Sequence, residues 1–504
     1  MDAMPSVYRE APTGASADGA YSSTLSISFD RPPDGAAPLR PELADVGRLA
    51  RRGLRAVVGA ARAGERPTLA GMLAAHLGGD RTALDAVEET WPGYEHVNVQ
   101  AGLDAWLAAP GRIAELVGIA GYQHREFGLA DLLTDDGGQQ DVYGLRPANP
   151  ARTNQAAGPD GEVRACVRCG IWLVTDGEVR TAVLLRGPER HGMPVTTLEA
   201  VSTDPAAAGR FVTEIRALAL RHNVFRGQVL TFGQEVFGHG QTLLTFHRRP
   251  SMSAGQLVLA PETLTEVERQ VVEVARQRER LLAAGQHLKR GLLLYGPPGV
   301  GKTHTVRYLT SRLVDTTVVQ LTGNSMHLIA EACSIARALQ PAMVVVEDVD
   351  LIAEERGRHP GQHPLLFQLL NEMDGLAEDA DVVFVLTTNR ADLLEPALAA
   401  RPGRVDQAVA LELPDAQARR ALFELYRGHL AVDSSRLDDV LARTEGVTAS
   451  FLKELLRRAA LLAATRTPGE AELAVSADDL DAALDELLGT RNAMTRTLLG
   501  GAAG

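Results

Sequence analysis

The sequence predicts an α/β fold over residues 251–412, a parallel sheet with crossover helices built around a phosphate-binding loop. Strand-like and helix-like segments alternate regularly from Pro261 to Leu413, which is the pattern of parallel strands joined by helices. A glycine-rich loop directly follows the first of these strands and leads into a helix. The helical periodicity that follows, over 413–489, predicts a four-helix lid at Ala416–Leu430, Ser435–Thr444, Ser450–Thr465 and Ala477–Leu488.

The N-terminal half shows different patterns of composition and hydrophobic periodicity. Residues 1–40 are rich in Pro, Gly, Ala and Ser and are predicted to be disordered. Helical periodicity predicts a helical domain over 41–135, and a polar, Gly/Pro-rich stretch predicts a linker over 136–160. Apolar runs around Asp176-Gly177 predict a hairpin inside an α+β domain over 161–250, and residues 490–504 are predicted to form a flexible tail.

Composition narrows the class of protein. The 504 residues carry a net charge of −13, so nucleic acid is an unlikely partner. The longest apolar run falls short of the ~18 residues that span a bilayer, so no membrane association is expected. Three cysteines do not make a disulfide framework, which favours a cytoplasmic location.

The most specific motif is the phosphate-binding loop. After the apolar strand Leu292–Tyr295 the sequence reads Gly296, Pro297, Pro298, Gly299, Val300, Gly301, Lys302, Thr303 and His304, and we predict that these nine residues bind the nucleotide. In this pattern the glycines let backbone N–H groups face phosphate oxygens, the lysine reaches the β- and γ-phosphates, and Thr303 can bind Mg²⁺. Lys302 is one of only three lysines, against 51 − 3 = 48 arginines, so this is a position where arginine does not replace the compact ammonium.

Two carboxylates follow the next apolar strand. Met343–Val346 ends at Glu347 and Asp348, and we assign Glu347 to the Mg²⁺ shell and Asp348 to the attacking water. A further apolar strand, Val382–Leu386, leads to Asn389, which we predict to lie near the γ-phosphate and to help position that water, although an asparagine at a strand end is often only a turn residue.

Taken in order, these motifs resemble the AAA ATPase family. The matching segments are the Gly296–Thr303 loop, Val344–Asp350, Leu370–Leu376, Thr387–Asn389, and Pro396–Leu398 leading into Arg401–Asp406. The resemblance covers a little under half of the chain. The resemblance implies that the protein binds ATP and Mg²⁺ and assembles with itself into a ring, usually a hexamer. It also implies that Asn389 is the polar sensor and that Arg401 and Arg404 are arginine fingers, which reach the γ-phosphate bound to a neighbouring subunit.

The chain departs from the family at two places. The order Glu347-Asp348 reverses the usual Asp-Glu, which leaves open an ATPase that is slow or inactive. The segment Gly323–Ile329 lacks the aromatic residue with which threading members grip an unfolded polypeptide, so threading is not implied.

Weaker signals remain open. Cys166 and Cys169 form a single C-x-x-C, for which a zinc site or a redox pair is less favoured than thiols that alternate on a strand. Lys453 lies where a second sensor could reach the nucleotide, although a solvent-facing helix lysine is the favoured interpretation.

The sequence therefore favours an oligomeric ATPase that remodels or translocates a protein partner selected by the N-terminal half. The alternative is a nucleotide-gated assembly scaffold with little turnover.

Overall fold

The computed structural model describes residues 68–78, 84–123, 125–134, 144–189, 194–234, 242–351, 364–392, 405–466 and 473–489. All of them belong to one unit of the chain, which starts at Pro67. The predicted disordered segment 1–40 and the predicted tail 490–504 lie outside these ranges. So do the candidate arginines Arg401 and Arg404.

The N-terminal part of the described chain is built on an antiparallel sheet. Its six strands lie in the order β1-β8-β7-β6-β2-β3. A separate two-stranded hairpin is formed by β4 and β5. The elements of this part are α1 (Leu69–Leu77), β1 (Val87–Pro92), α2 (His96–Leu107), β2 (Arg112–Ala120), α3 (Leu129–Thr134), β3 (Arg146–Ala148), β4 (Arg152–Ala156), β5 (Val163–Val167), β6 (Cys169–Asp176), β7 (Val179–Arg186), β8 (Val195–Ser202) and α4 (Pro205–Arg221).

Helices cover both faces of this sheet, which explains why its central strands are apolar throughout. On one face, α2 and α4 bury Trp106 against Phe211, with ring centroids 4.7 Å apart in an edge-to-face arrangement. On the other face, α1 and α3 bury leucines such as Leu69 and Leu132. A strand packed on both sides loses the alternation of polar and apolar residues and reads as a continuous apolar run.

The predicted boundaries in the N-terminal half need correction. The region 41–135, predicted to be helical, contains the strands β1 and β2, and the predicted linker 136–160 contains β3 and β4. The sequence of β1, Val-Glu-Glu-Thr-Trp-Pro, is half polar, and its strand conformation comes from pairing with the buried strand β8. Pairing partners distant in sequence decide such segments, because intrinsic strand propensity is weak.

The second sheet carries the phosphate-binding loop. Its seven strands lie in the order β10-β9-β12-β13-β14-β11-β15, parallel except for β10, which pairs antiparallel with β9. The strands are β9 (Val229–Gln234), β10 (Thr242–His247), β11 (Arg290–Tyr295), β12 (Thr317–Leu321), β13 (Ala342–Val346), β14 (Val382–Thr388) and β15 (Gln407–Ala410). Strands β9 and β10, which the sequence assigns to the α+β domain 161–250, thus extend the parallel sheet instead.

Helices pack against this sheet and connect its strands. They are α5 (Pro261–Glu268), a π-helical turn (Arg269–Glu273), α6 (Val274–Arg276), α7 (Arg278–Ala283), α8 (Lys302–Arg312), a 3₁₀ segment (Gly323–Leu328), α9 (Ile329–Ala338) and α10 (Pro364–Asp374). Because the strands are parallel, their carboxyl ends share one edge of the sheet. That edge therefore collects the residues after β11, β13 and β14, where the sequence motifs lie.

A helical region follows the sheet and has its own apolar core. It consists of α11 (Ala416–Arg427), α12 (Leu437–Arg443), α13 (Ala449–Arg466) and α14 (Ala477–Leu488), with the short parallel pair β16 (Ala431–Val432) and β17 (Ala474–Val475) between them. Ser476 caps α14 by accepting a hydrogen bond from the Asp479 N–H, and the Asp479 carboxylate accepts one from the Ser476 N–H. This reciprocal capping box explains why α14 begins at the predicted residue.

Candidate functional site

The loop between β11 and α8 has a backbone that only glycine adopts easily. Gly296, Gly299 and Gly301 have φ values of 148°, 83° and 111°. A Cβ atom on Gly296 would lie 2.2 Å from the Leu411 carbonyl oxygen, so a side chain is excluded there by contact as well as by strain. Such a loop, opening directly into a helix N-terminus, presents backbone N–H groups to an anion.

The Lys302 ammonium lies between this loop and the end of β14. Its Nζ donates to the carbonyl oxygens of Gly296 (2.8 Å) and Pro297 (2.9 Å) and to Asn389 Oδ1 (2.8 Å). Burial lowers the pKa of Lys302, and the carboxylates of Asp348 and Asp350 act in the opposite direction. The lysine predicted to contact phosphate and the asparagine predicted to act as sensor are thus in direct contact.

The two candidate carboxylates point to different partners. The Glu347 side chain is hydrogen-bonded to Thr303, the other predicted Mg²⁺ ligand. Asp348 Oδ1 accepts a hydrogen bond from Asn389 Nδ2 at 3.3 Å. Burial and the negative charge of Asp348 raise the pKa of Glu347, while the bond to Thr303 opposes that change. A hydroxyl and a carboxylate next to each other form the oxygen-rich pair that Mg²⁺ prefers.

The backbone at Asp348 is unusual and explains this divergence. Asp348 has a φ of 52°, the only positive value at a non-glycine residue among those described. Its N–H donates to Thr387 Oγ1 at 3.0 Å, which holds the strained conformation in place. Asp348 lies after the end of β13, so this left-handed turn, and not the alternation of an extended strand, sets the direction in which the second carboxylate leaves the backbone.

Sequence reasoning did not predict the role of Asp350. This residue is 7% exposed, and its Oδ1 accepts hydrogen bonds from the Thr388 hydroxyl (2.8 Å) and the Asn389 N–H (3.2 Å). Asp350 therefore connects the segment after β13 to the end of β14 and orients Asn389. The signal available in the sequence was a third carboxylate two residues after Asp348 on the same segment.

The helical region contacts the phosphate-binding loop. The Ser450 N–H at the start of α13 donates to the Gly299 carbonyl oxygen at 3.2 Å. A Cβ atom on Gly299 would lie 2.9 Å from Ser450 Oγ and from Thr448 Oγ1. Pro298 and the buried Val300 complete the loop on either side of Gly299. A movement of the helical region would therefore be transmitted directly to the loop.

His304 and Lys453 lie near each other beside this contact. His304 lines a cavity of about 300 Å³ together with residues of α11 and of the segment before α5, including Tyr426 and Gln256. Burial lowers the pKa of His304, and the positive charges of Arg307 and Lys453 lower it further. Lys453 itself is exposed, with Nζ 6.0 Å from the centre of the Tyr426 ring.

The cysteines do not form a reactive pair. Cys166 lies on β5 and Cys169 on β6, and both are buried. Burial raises the pKa of each thiol to about 12, so both are neutral at ordinary pH, whereas a reactive cysteine needs a lowered pKa. Within the described ranges, no group of three or more His, Cys, Asp or Glu side chains is placed to hold a metal ion.

Comparison with known proteins identifies the module that these residues form. Residues 292–413 match the family model described as the ATPase family associated with various cellular activities (AAA). The chain carries an AAA ATPase module in its C-terminal half. The match begins on β11 and ends after β15, so it contains every strand of the second sheet except the added strands β9 and β10.

The curated relatives with this module include ATP-dependent zinc metalloproteases. FtsH 2 of Sphaerobacter thermophilus is 36% identical over 243 residues, which are 46% of this chain and 36% of that protein. FtsH of Thermus thermophilus is 32% identical over 246 residues (46% and 38%), and FTSH 8, chloroplastic, of Arabidopsis thaliana is 31% identical over 233 residues (44% and 33%). The chain thus spans well under half the length of each of these three relatives.

The names of these relatives describe a zinc peptidase activity, whereas this sequence contains no H-E-x-x-H, the helical pattern by which many zinc peptidases bind their metal. None of the helices in the described part of the chain combines the length and the apolar composition of a membrane-spanning segment.

Replacing Thr387 by valine should slow the AAA module without preventing ATP binding. Thr387 is 2% exposed, and valine has nearly the same shape but leaves the Asp348 N–H without its acceptor. Loss of such a bond costs roughly 1–3 kcal/mol, and about 1.4 kcal/mol in the barrier is a tenfold change in rate. We expect kcat for ATP to fall about tenfold, with an ATP affinity within about twofold of the wild type.

The matched control for this experiment is Thr387→Ser, which keeps the hydroxyl. If valine and serine at this position both leave kcat at the wild-type value, the hydroxyl does not hold Asp348 in its working conformation. Phosphate release measures kcat, and the fluorescence of a labelled ATP analogue measures affinity.

Proposed function

We propose that this chain is a Mg²⁺-dependent ATPase that assembles into a ring, most simply a hexamer, and uses ATP binding and hydrolysis to remodel or translocate a protein partner. The observation that carries the proposal is the continuous line of hydrogen bonds from Lys302 through Asn389 to Asp348 at the edge of the parallel sheet. This line joins a cation, an amide and a carboxylate, the three kinds of group that an in-line attack of water on a phosphoryl group uses, and so supports the proposal.

Each residue has a distinct part in the proposed reaction. Lys302 stabilises negative charge on the β- and γ-phosphates, and Asp348 and Asn389 orient the attacking water. Thr303 and Glu347 are adjacent and supply the oxygen atoms that would hold Mg²⁺, which neutralises phosphate charge when bound. Arg401 and Arg404 are proposed to stabilise the transition state at the site of a neighbouring subunit.

The reversed order of the two carboxylates is accommodated by the backbone. Aspartate is one methylene shorter than the glutamate that usually follows the metal-binding residue in this family. The positive φ of Asp348 and its bond to Thr387 direct the shorter side chain towards Asn389, while Glu347 faces Thr303. This geometry supports the assignment of Glu347 to the metal and of Asp348 to water.

The helical region is proposed to act as the lid, and the N-terminal half to select the partner. The Ser450–Gly299 contact supports the first part, because rotation of α13 would alter the loop that holds the phosphates. A cytoplasmic location remains a proposal that rests on the three unpaired cysteines.

The rate of ATP hydrolysis per subunit should rise with protein concentration if active sites are shared between subunits. Arg404→Ala should lower the rate at every concentration, by about 10³-fold or more, because an arginine supplied by a neighbouring subunit stabilises the transition state. The matched control is Arg420→Ala, on the surface of α11. Mixing Arg404→Ala subunits with Asp348→Asn subunits should restore part of the activity. One partner then supplies the carboxylate and the other the arginine.

Two results would contradict this proposal. A turnover that is independent of concentration and unaffected by Arg404→Ala would exclude shared sites. Tight ATP binding without turnover, even at high protein concentration, would favour the alternative of a nucleotide-gated assembly scaffold, for which the reversed carboxylates are the motivating observation.

A further inference from the structure

A large cavity lies between the N-terminal hairpin and the outer edge of the second sheet. Its volume is about 840 Å³, within the range of roughly 300–1,000 Å³ that ligand sites occupy. It is distinct from the phosphate-binding loop, and no residue assigned above to ATP or Mg²⁺ lines it. One wall is strand β4, all five residues of which contribute atoms to the lining, and another is part of β10, from Leu244 to Phe246.

Both of these strands present an unpaired edge. Among the described residues, β4 pairs only with β5, and β10 pairs only with β9. The bonds Ala157 N–H to Glu162 O (2.8 Å) and Arg168 N–H to Ala151 O (2.9 Å) fix the register of the hairpin. Because hydrogen-bonded and non-hydrogen-bonded pairs alternate in an antiparallel ladder, residues 152, 154 and 156 direct their backbone N–H and C=O groups away from β5.

The charge around the cavity is locally positive in a chain that is strongly negative overall. Arg152 and Arg168 line it, against a single carboxylate from Glu331. The Arg168 side chain is exposed and has no hydrogen bond or ion pair within the described ranges, and the Arg152 guanidinium donates only to the Ala165 carbonyl oxygen at 3.3 Å. Two guanidinium groups at a strand edge suit an occupant that carries carboxylates.

A buried polar atom and an apolar wall complete the site. His96 is 0% exposed, and burial lowers its pKa to about 4, so the ring is neutral at ordinary pH. Its Nε2 donates to the Val167 carbonyl oxygen at 2.9 Å, which leaves Nδ1 as an acceptor with no donor within the described residues. The rings of Tyr94 and Phe246 each contact Phe225, with centroids 6.5 and 5.8 Å from it, and form an apolar surface. The cavity thus combines strand edges, cations, an unpaired acceptor and an apolar wall.

We infer that this cavity is a docking site for an extended acidic peptide segment, which adds as a strand to the free edge of β4. At about 3.3 Å per residue, the five residues of β4 match a segment of about five residues. Backbone pairing supplies affinity that is independent of sequence, and Arg152 and Arg168 select for acidic side chains. Use of the site by the motor rests on the proposed action on a protein partner, whereas peptide binding itself needs no nucleotide.

The test measures peptide binding to the full chain without ATP. The probe is a pool of fluorescein-labelled heptapeptides with glutamate at alternate positions and apolar residues between them, and the matched pool has lysine in place of glutamate. Asn154→Pro removes one outward N–H without touching the bonds to β5, and Asn154→Ala is its control. Arg168→Glu changes an exposed side chain and gives a second variant that does not depend on the backbone.

We expect Asn154→Pro and Arg168→Glu each to weaken binding of the acidic pool about tenfold or more, and Asn154→Ala to change it by less than about twofold. The lysine pool should bind about tenfold more weakly than the acidic pool, and hydrogen exchange at residues 152–156 should slow when the acidic pool is added. Absence of binding by the acidic pool up to about 1 mM, or equal binding by Asn154→Pro, overturns the site.

The two proposals fail in distinguishable ways. ATP turnover by a chain that does not bind the acidic pool overturns the docking site and leaves the ATPase intact. Binding of the acidic pool that is lost in Asn154→Pro supports the docking site even if the chain shows no turnover, and in that case the motor is the proposal that fails.

Discussion

Lys302→Ala should abolish ATP turnover, with a fall in kcat/KM of about 100- to 1,000-fold or more, the range seen when one preorganised charge-stabilising group is removed. The ammonium is held by two loop carbonyl oxygens and by Asn389 at 2.8–2.9 Å, so its removal deletes a positive charge that is already in position. Because that charge acts on both bound ATP and the transition state, affinity and kcat should both fall. Steady-state phosphate release and titration with a labelled ATP analogue measure the two effects.

Lys302→Arg should fail nearly as badly. Arginine presents a broad planar fork in place of the compact ammonium that donates to two loop carbonyl oxygens and to Asn389, and this chain already uses arginine at 48 of its 51 basic positions. Lys289→Ala is the matched control, since Lys289 is another of the three lysines and precedes β11, outside the Gly296–Thr303 loop. Wild-type turnover in Lys302→Ala would show that the loop does not bind phosphate in the proposed way.

Asp348→Asn should lower kcat by about 100-fold or more while leaving the affinity for ATP nearly unchanged, because it removes a charge that acts on water rather than on the nucleotide. The amide has the shape of the carboxylate and can still contact Asn389, so the fold of the edge should persist. Chemical quench of a single turnover separates this loss of chemistry from a loss of binding.

Two variants give the comparison for Asp348→Asn. Asp379→Asn changes an exposed carboxylate that is distant from Asp348 in the sequence, and this variant should turn over ATP like the wild type. Glu347→Gln should instead weaken the dependence of the rate on Mg²⁺, because this carboxylate faces Thr303. If Asp348→Asn retains turnover within about threefold of the wild type, then the carboxylate that polarises water lies elsewhere, and the assignment of the two roles is wrong.

The phosphate-binding part of this protein was predictable because its motifs are local in sequence. The phosphate-binding loop is encoded by adjacent residues whose spacing has a direct physical meaning: glycines permit the φ values of 83° and 111°, and the lysine follows at a fixed offset. Apolar strands ending in Glu347-Asp348 and in Asn389 were visible for the same reason. The AAA ATPase module was therefore predicted from the sequence and confirmed by the family match over residues 292–413.

Tertiary structure alone decided how those residues act on each other. No pattern in the sequence predicts that Asp348 adopts a left-handed backbone, because its anchor, Thr387, lies 39 residues away on β14. Asp350 likewise finds its partners on a neighbouring strand. The N-terminal sheet was only partly predicted for a related reason: a half-polar strand such as β1 becomes a strand by pairing with β8, more than 100 residues later. The sequence by itself determined which chemical groups stand at the loops and strand ends of this protein, because those features are local. The order of the strands in the sheet decided which of these groups meet, and that order depends on long-range pairing and burial.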